Sequence, residues 1–182
     1  MPETAREAGL LHPLDAFYER AGLIVPAASL CAGEDIPEPY RSLLVHSRDM
    51  TPTLERHYAD TIQLRVIGRR LDGEALSRLV VLELQRDCSP VEFGAIVIHL
   101  NQFPVEARDV ILECRRPLGT VLALHEIPHY SRPRGYIRVK SDPLIQGALA
   151  CHGPGPLYGR QNVLRTPDGQ ILAEVLEILP PV

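Results

Sequence analysis

Seven residues, Arg78-Leu79-Val80-Val81-Leu82-Glu83-Leu84, constrain this chain more than any other stretch. The run reads as a strand whose side chains alternate between two faces. Arg78, Val80, Leu82 and Leu84 share one face, so a guanidinium heads an apolar row. An arginine facing a core needs an anionic partner, because an unpaired buried charge is very costly. That partner is either an internal carboxylate or a bound molecule, and the strand alone leaves both open.

The neighbouring pattern is also strand-like. Residues 61–67 alternate and turn through Asp72-Gly73, residues 78–84 follow, and a turn over 85–90 leads into a long strand over 91–100. These three are expected to be consecutive antiparallel neighbours, with Gly94 marking a bulge or a close approach. Residues 136–140 form a fourth strand, and 157–165 and 171–179 form a closing hairpin around Pro167-Asp168-Gly169.

Helical spacing appears at 14–21 and 40–46, after Asp49 or Thr51 as cap with Pro52 next, from Phe103, at 120–125, and at 141–150 behind Ser141 or Asp142. Residues 1–13 read as a loosely docked lead-in and 26–39 as a surface connection. Several antiparallel strands with short helices make the fold class α+β. Periodicity does not order the strands.

Composition removes some functions. A formal charge of −4 gives no footprint for nucleic acid. No apolar run approaches a membrane span and the first residues do not resemble a secretory leader, so a cytoplasmic location is expected. Cys31, Cys88, Cys114 and Cys151 contain no C-x-x-C pair, which points to free thiols. His125 and His129 have Pro128 between them, and His46, His57, His99 and His152 lack ligand-like spacing, so no metal is expected. Arg132-Pro133-Arg134 with Arg138 and Lys140 reads as a solvated basic cluster.

Two charges stand most firmly among apolar strand neighbours. Besides Arg78, Glu177 shares a face with Ile171, Ala173, Val175 and Leu179. The two are either an internal salt bridge or parts of one site, with Glu174 as the inward acid if the last strand packs on its other face.

Six short pieces occur in order. They are Leu43-Leu44 with Asp49-Met50-Thr51 and Glu55; Arg78; Pro117-Leu118-Gly119; Arg134 before Tyr136-Ile137; Leu157-Tyr158-Gly159-Arg160; and Glu177 before Leu179-Pro180. In this the chain resembles the chorismate pyruvate-lyase family, from about Tyr40 to Pro180. The turns over 85–90 and 165–170 are each two residues longer than in the best-known form. An even insertion keeps the alternation of faces.

The resemblance implies a single α+β domain over 40–182, behind a lead-in with a short helix over 1–39. It implies a mostly antiparallel sheet and helical flaps over a buried ligand pocket. The implied activity is cleavage of chorismate to 4-hydroxybenzoate and pyruvate without metal or organic cofactor. Arg78 takes the place of the ligand arginine and Glu177 that of the acid. Leu118 becomes a backbone contact and Met50 an apolar wall. Thr51, Gly119, Arg134 and Arg160, within the matching pieces, complete the expected substrate-binding set. Arginine suits the role because its fork grips a carboxylate with two parallel bonds.

Two further readings stand beside this one. The same fold serves as the small-molecule sensor of some transcription regulators, whose DNA-binding module is longer than residues 1–39. A lyase for a related enolpyruvyl acid would need only one changed pocket contact.

Overall fold

The computed structural model describes residues 9–153 and 155–181. Alternation and β-branched residues produce the expected meander of β2 (Ile62–Asp72), β3 (Ala75–Leu84) and β4 (Pro90–His99), paired antiparallel in sequence order. The second group of strands is β5 (Tyr130–Lys140), β6 (Pro156–Arg165) and β7 (Ile171–Ile178), again antiparallel. A short edge strand, β1 (Ala28–Cys31), pairs with β5.

Among the described residues seven strands form one sheet, in the order β1-β5-β6-β7-β4-β3-β2. The last strand is therefore central, and it joins the two groups by pairing with β4 as well as β6. This one pairing decides which charges meet.

Among the described residues six short helices cover the two faces, giving a single α+β domain. On one face α1 (Asp15–Ala21) and α6 (Pro143–Leu149) pack over Val81, Phe93, Ile137, Val139 and Leu176. The other face carries two separate clusters. There α4 (Val105–Glu113) and α5 (Leu118–Leu124) cover Ile96, Ile98 and Leu164. Beside them α2 (Tyr40–Leu44) and α3 (Met50–Tyr58) cover Leu82, Leu84 and Leu179. The seam between these clusters is where the pocket opens.

Several local expectations change. β2 and β5 run beyond 61–67 and 136–140, because β3 and β6 supply backbone partners to polar stretches such as Arg69-Arg70 and Ser131-Arg132. Helix α5 starts at Leu118, two residues before Thr120. Asp142 caps α6, accepting from the Ile145 N–H at 2.9 Å with Pro143 just inside, as its sequence predicts. The stretch 26–39 is not only a surface connection, since it supplies β1. Nor is the described part of the lead-in loosely docked: Leu11 is buried in the same cluster as Leu14 and Tyr18. Residues 1–8, and Pro154 of the expected break over 152–156, lie outside the described residues.

Candidate ligand pocket

The pocket floor is sheet and its roof is two helix ends. From β3 come Arg78, Val80 and Leu82, from β4 Glu92, Gly94 and Ile96, from β7 Val175 and Glu177, and from β6 Asn162 and Leu164. Alternation makes this inevitable once the strands are ordered, since residues two apart share a face. Met50 and Thr51 at the start of α3, and Leu118, Gly119 and Leu122 of α5, close the top. The two helix ends touch: a Cβ on Gly119 would stand 3.0 Å from Thr51 Oγ1. Only a residue without a side chain lets them come so near. The space is tight, about 70 Å³ for the centre of a water-sized sphere.

Arg78 is 2% exposed. Among the described residues no carboxylate lies within ion-pair distance of it. Its Nη1 donates to the Arg116 carbonyl at 3.4 Å, a long bond, and its Nε has no partner. Burial pushes its pKa below the ordinary value, with the Cys114 thiol opposing the shift. The internal Arg78–Glu177 salt bridge is not formed. Arg78 is opposite Ile96 and Ile96 opposite Val175, so β4 lies between the two charges and they are also out of register.

Glu177 pairs with Arg160, directly across from it on β6. Arg160 is wholly buried and lines no part of the cavity. Its remaining donors reach the carbonyls of His46 at 3.0 Å, Arg48 at 3.1 Å and Leu44 at 3.4 Å. It thus ties the segment between α2 and α3 to the sheet and fixes where α3 begins. Burial works against its charge, but Glu177, with help from Glu92, raises its pKa above the ordinary value.

Glu92 was not among the residues singled out from the sequence. It is 4% exposed, and its Oε2 has no partner. Burial, and after it the Glu177 carboxylate, push its carboxyl well above the usual range; Arg160 offsets this only in part. The Glu177 carboxylate, itself paired with Arg160, thus adds to burial in favouring the protonated form of Glu92. A signal existed, because Glu92 heads the apolar row Gly94, Ile96, Ile98 as Arg78 heads its own. Asn162 was also missed: its Nδ2 donates to Ser131 Oγ at 2.9 Å while its buried Oδ1 is unpartnered.

Of the expected residues, Arg78, Glu177, Met50, Thr51, Leu118 and Gly119 all line this one cavity. Arg134 does not. It lies against Glu174 at 3.1 Å on the opposite side of the sheet, where Glu174 also meets His12. Glu174 is therefore not the inward acid. Among the described residues no group of three or more His, Cys, Asp or Glu could hold a metal ion, and no helix is long and apolar enough to cross a membrane.

Asp49 occupies the N-cap position of α3, yet its carboxylate does not cap it. Oδ2 pairs with His129 Nε2 at 2.7 Å, across the partition between the cavity and a surface groove lined by Arg48, Arg132 and Arg165. The hydrogen bond to Asp49 raises the His129 pKa, burial notwithstanding. The stabilisation is therefore fully present below the ordinary value of 6.5 and is lost as pH rises through the raised value. His12, raised chiefly by Glu174, acts with the same sign. His46, lowered by burial and then by Arg160, costs stability only below 6.5. Consequently the difference in thermal stability between the wild type and His129→Phe shrinks as pH goes from about 6 to about 8. A difference independent of pH across that range contradicts a charged latch.

No family model matches the chain, and no curated protein matches it in sequence. Solved structures do match in fold. The effector domain of PhnF from Mycobacterium smegmatis aligns with a TM-score of 0.53 at 10% identity, over 72% of this chain and 87% of that one. A structure of PhnF from the same organism aligns at 0.51 and 12% identity, over 91% of this chain and 92% of the other. YydK of Bacillus subtilis, described as a possible transcriptional regulator, aligns at 0.52 and 7% identity, over 65% of this chain and 58% of its own. These likenesses show the fold, an α+β domain of the chorismate-lyase-like kind.

Proposed function

We propose that this chain binds a small cyclic or aromatic monocarboxylic acid in the cavity between α3, α5 and the sheet, with the ligand's carboxylate on Arg78. One observation carries the proposal: Arg78 is a buried guanidinium that lines the cavity and has no carboxylate partner among the described residues. A fold does not keep such a charge for its own stability, whereas a carboxylate received there forms charge-assisted bonds in a dry site. Val80, Leu82, Ile96, Leu118 and Leu122 offer apolar walls to a ring. Only a monoanion is matched, since Arg160 is already committed to Glu177 and three carbonyls. The effector domain among the fold neighbours supports a sensing role.

A second reading is cleavage of chorismate to 4-hydroxybenzoate and pyruvate. It is favoured by the convergence of Met50, Arg78, Leu118 and Glu177, named by the ordered sequence pieces, on one cavity. Elimination leaves an aromatic ring and runs downhill, so positioning by Arg78 would supply much of the effect. The second carboxylate of chorismate weighs against this reading, because it lacks a free cation among the described lining residues.

Calorimetric titration with benzoate and 4-hydroxybenzoate tests the binding reading, and quantifying 4-hydroxybenzoate and pyruvate after mixing with chorismate tests the lyase. Saturable one-to-one binding with no turnover supports the sensor, and stoichiometric release of both products supports the lyase. If neither acid binds and chorismate survives, both readings fall.

A further inference from the structure

The cavity has two polar ends. Arg78 stands opposite Ile96 on β4, and Glu92 stands opposite Leu82 on β3. The two are four residues apart along adjoining strands, roughly 13 Å at the backbone, and both side chains reach into the same space. Glu92 Oε1 lies over Gly94, 3.2 Å from where a Cβ would be. The absence of a side chain there lets the carboxyl fold toward Glu177, which pairs with Gly94 across the strand. Oε2 is left buried and unbonded. An orphaned polar atom of this kind costs free energy unless something in the cavity meets it.

We infer that Glu92 is a specificity-determining hydrogen-bond donor that recognises an oxygen substituent on the ring of the bound acid, opposite the carboxylate held by Arg78. This rests on the carboxylate reading above and narrows it to ring acids bearing a hydroxyl, keto or ether oxygen at the far end. A second carboxylate at that end is disfavoured, because it would add a negative charge beside the Glu177 carboxylate. The raised pKa of Glu92 supplies the proton that such a bond needs. Glu177 has a separate task, holding Arg160, so the two acids are not interchangeable.

The test compares benzoate, 4-hydroxybenzoate and benzene-1,4-dicarboxylate by calorimetry on the full chain, in wild type, Glu92→Gln and Glu92→Leu. In the wild type the hydroxyl strengthens binding roughly 3- to 10-fold over benzoate, the value of one hydrogen bond, and the dicarboxylate binds more weakly than either. Glu92→Gln, which still donates, keeps the hydroxyl preference. Glu92→Leu loses it, so that its affinities for benzoate and 4-hydroxybenzoate lie within about 2-fold of each other. Persistence of the preference in Glu92→Leu, or an equal loss for both acids in both variants, overturns the role of Glu92 while leaving the Arg78 site intact. Failure of wild type to bind either monocarboxylate overturns the Arg78 reading itself, and this inference with it. Infrared difference spectroscopy adds a readout that does not depend on the leucine variant folding. A protonated-carboxyl band present in the wild type, shifted by 4-hydroxybenzoate but not by benzoate and absent in Glu92→Gln, is expected. If the wild type shows no such band, Glu92 is not the donor.

Discussion

In Arg78→Met, 4-hydroxybenzoate binding falls by at least about 30-fold while the unliganded protein becomes more stable. The two effects have one cause. Losing one partner of a desolvated, hydrogen-bonded charge pair costs about 2–5 kcal/mol in binding. Without ligand, the same guanidinium is buried with an unpartnered Nε and one long bond, so a thioether of similar length removes a penalty. A gain of about 1–4 kcal/mol in unfolding free energy is expected, the range seen when buried ionic groups give way to apolar ones. Calorimetric titration and denaturant unfolding read the two effects separately. Arg78→Lys keeps a charge but not the fork, and recovers only part of the affinity. Lower stability combined with unchanged binding in Arg78→Met would identify Arg78 as a structural group.

The second buried arginine behaves in the opposite way. Arg160→Met removes the partner of Glu177 and the donors that satisfy the carbonyls of Leu44, His46 and Arg48. An uncompensated buried charge of this kind costs about 3–5 kcal/mol, which for a chain of 182 residues lowers Tm by roughly 6–20 °C. Glu177→Gln is milder, because its amide oxygen still accepts from Arg160 and the three carbonyl bonds remain. If Arg160→Met melts within about 2 °C of the wild type, the segment before α3 is not held in the way described. The contrast in sign between the two arginines is the sharpest consequence of the charge pairing. One is satisfied by its own fold, and the other has no carboxylate partner among the described residues.

Much of this was legible in the sequence because period-two alternation is a local property. Arg78, Val80 and Leu82 could be placed on one face, and Glu177 with Val175, without knowing any long-range pairing. The β2–β3–β4 meander, the final hairpin and the Asp142 cap are likewise encoded within a few residues of one another. What escaped was strand order. Whether Glu177 meets Arg78 or Arg160 depends on β7 sitting between β4 and β6, a contact between segments about 80 residues apart that no periodicity reports. The same gap put Arg134 in the expected site, although its face of β5 looks toward Glu174 and away from the cavity. Glu92 went unread for another reason: as one polar residue near the start of a strand, it looks like an ordinary solvated end until Glu177 is brought beside it. The ordered pieces of the family resemblance supplied some of the missing long-range information, since Met50, Leu118 and Glu177 do reach one cavity with Arg78.

A crystal structure of the protein with 4-hydroxybenzoate shows whether Arg78 holds the ligand's carboxylate. The carboxylate is expected within hydrogen-bond distance of Nε and Nη of Arg78, the ring beneath Met50 and Leu118, and the hydroxyl oxygen facing Glu92. A ligand seated instead in the surface groove of Arg48, Arg132 and Arg165, or an Arg78 that has turned to pair with a protein carboxylate, would contradict it.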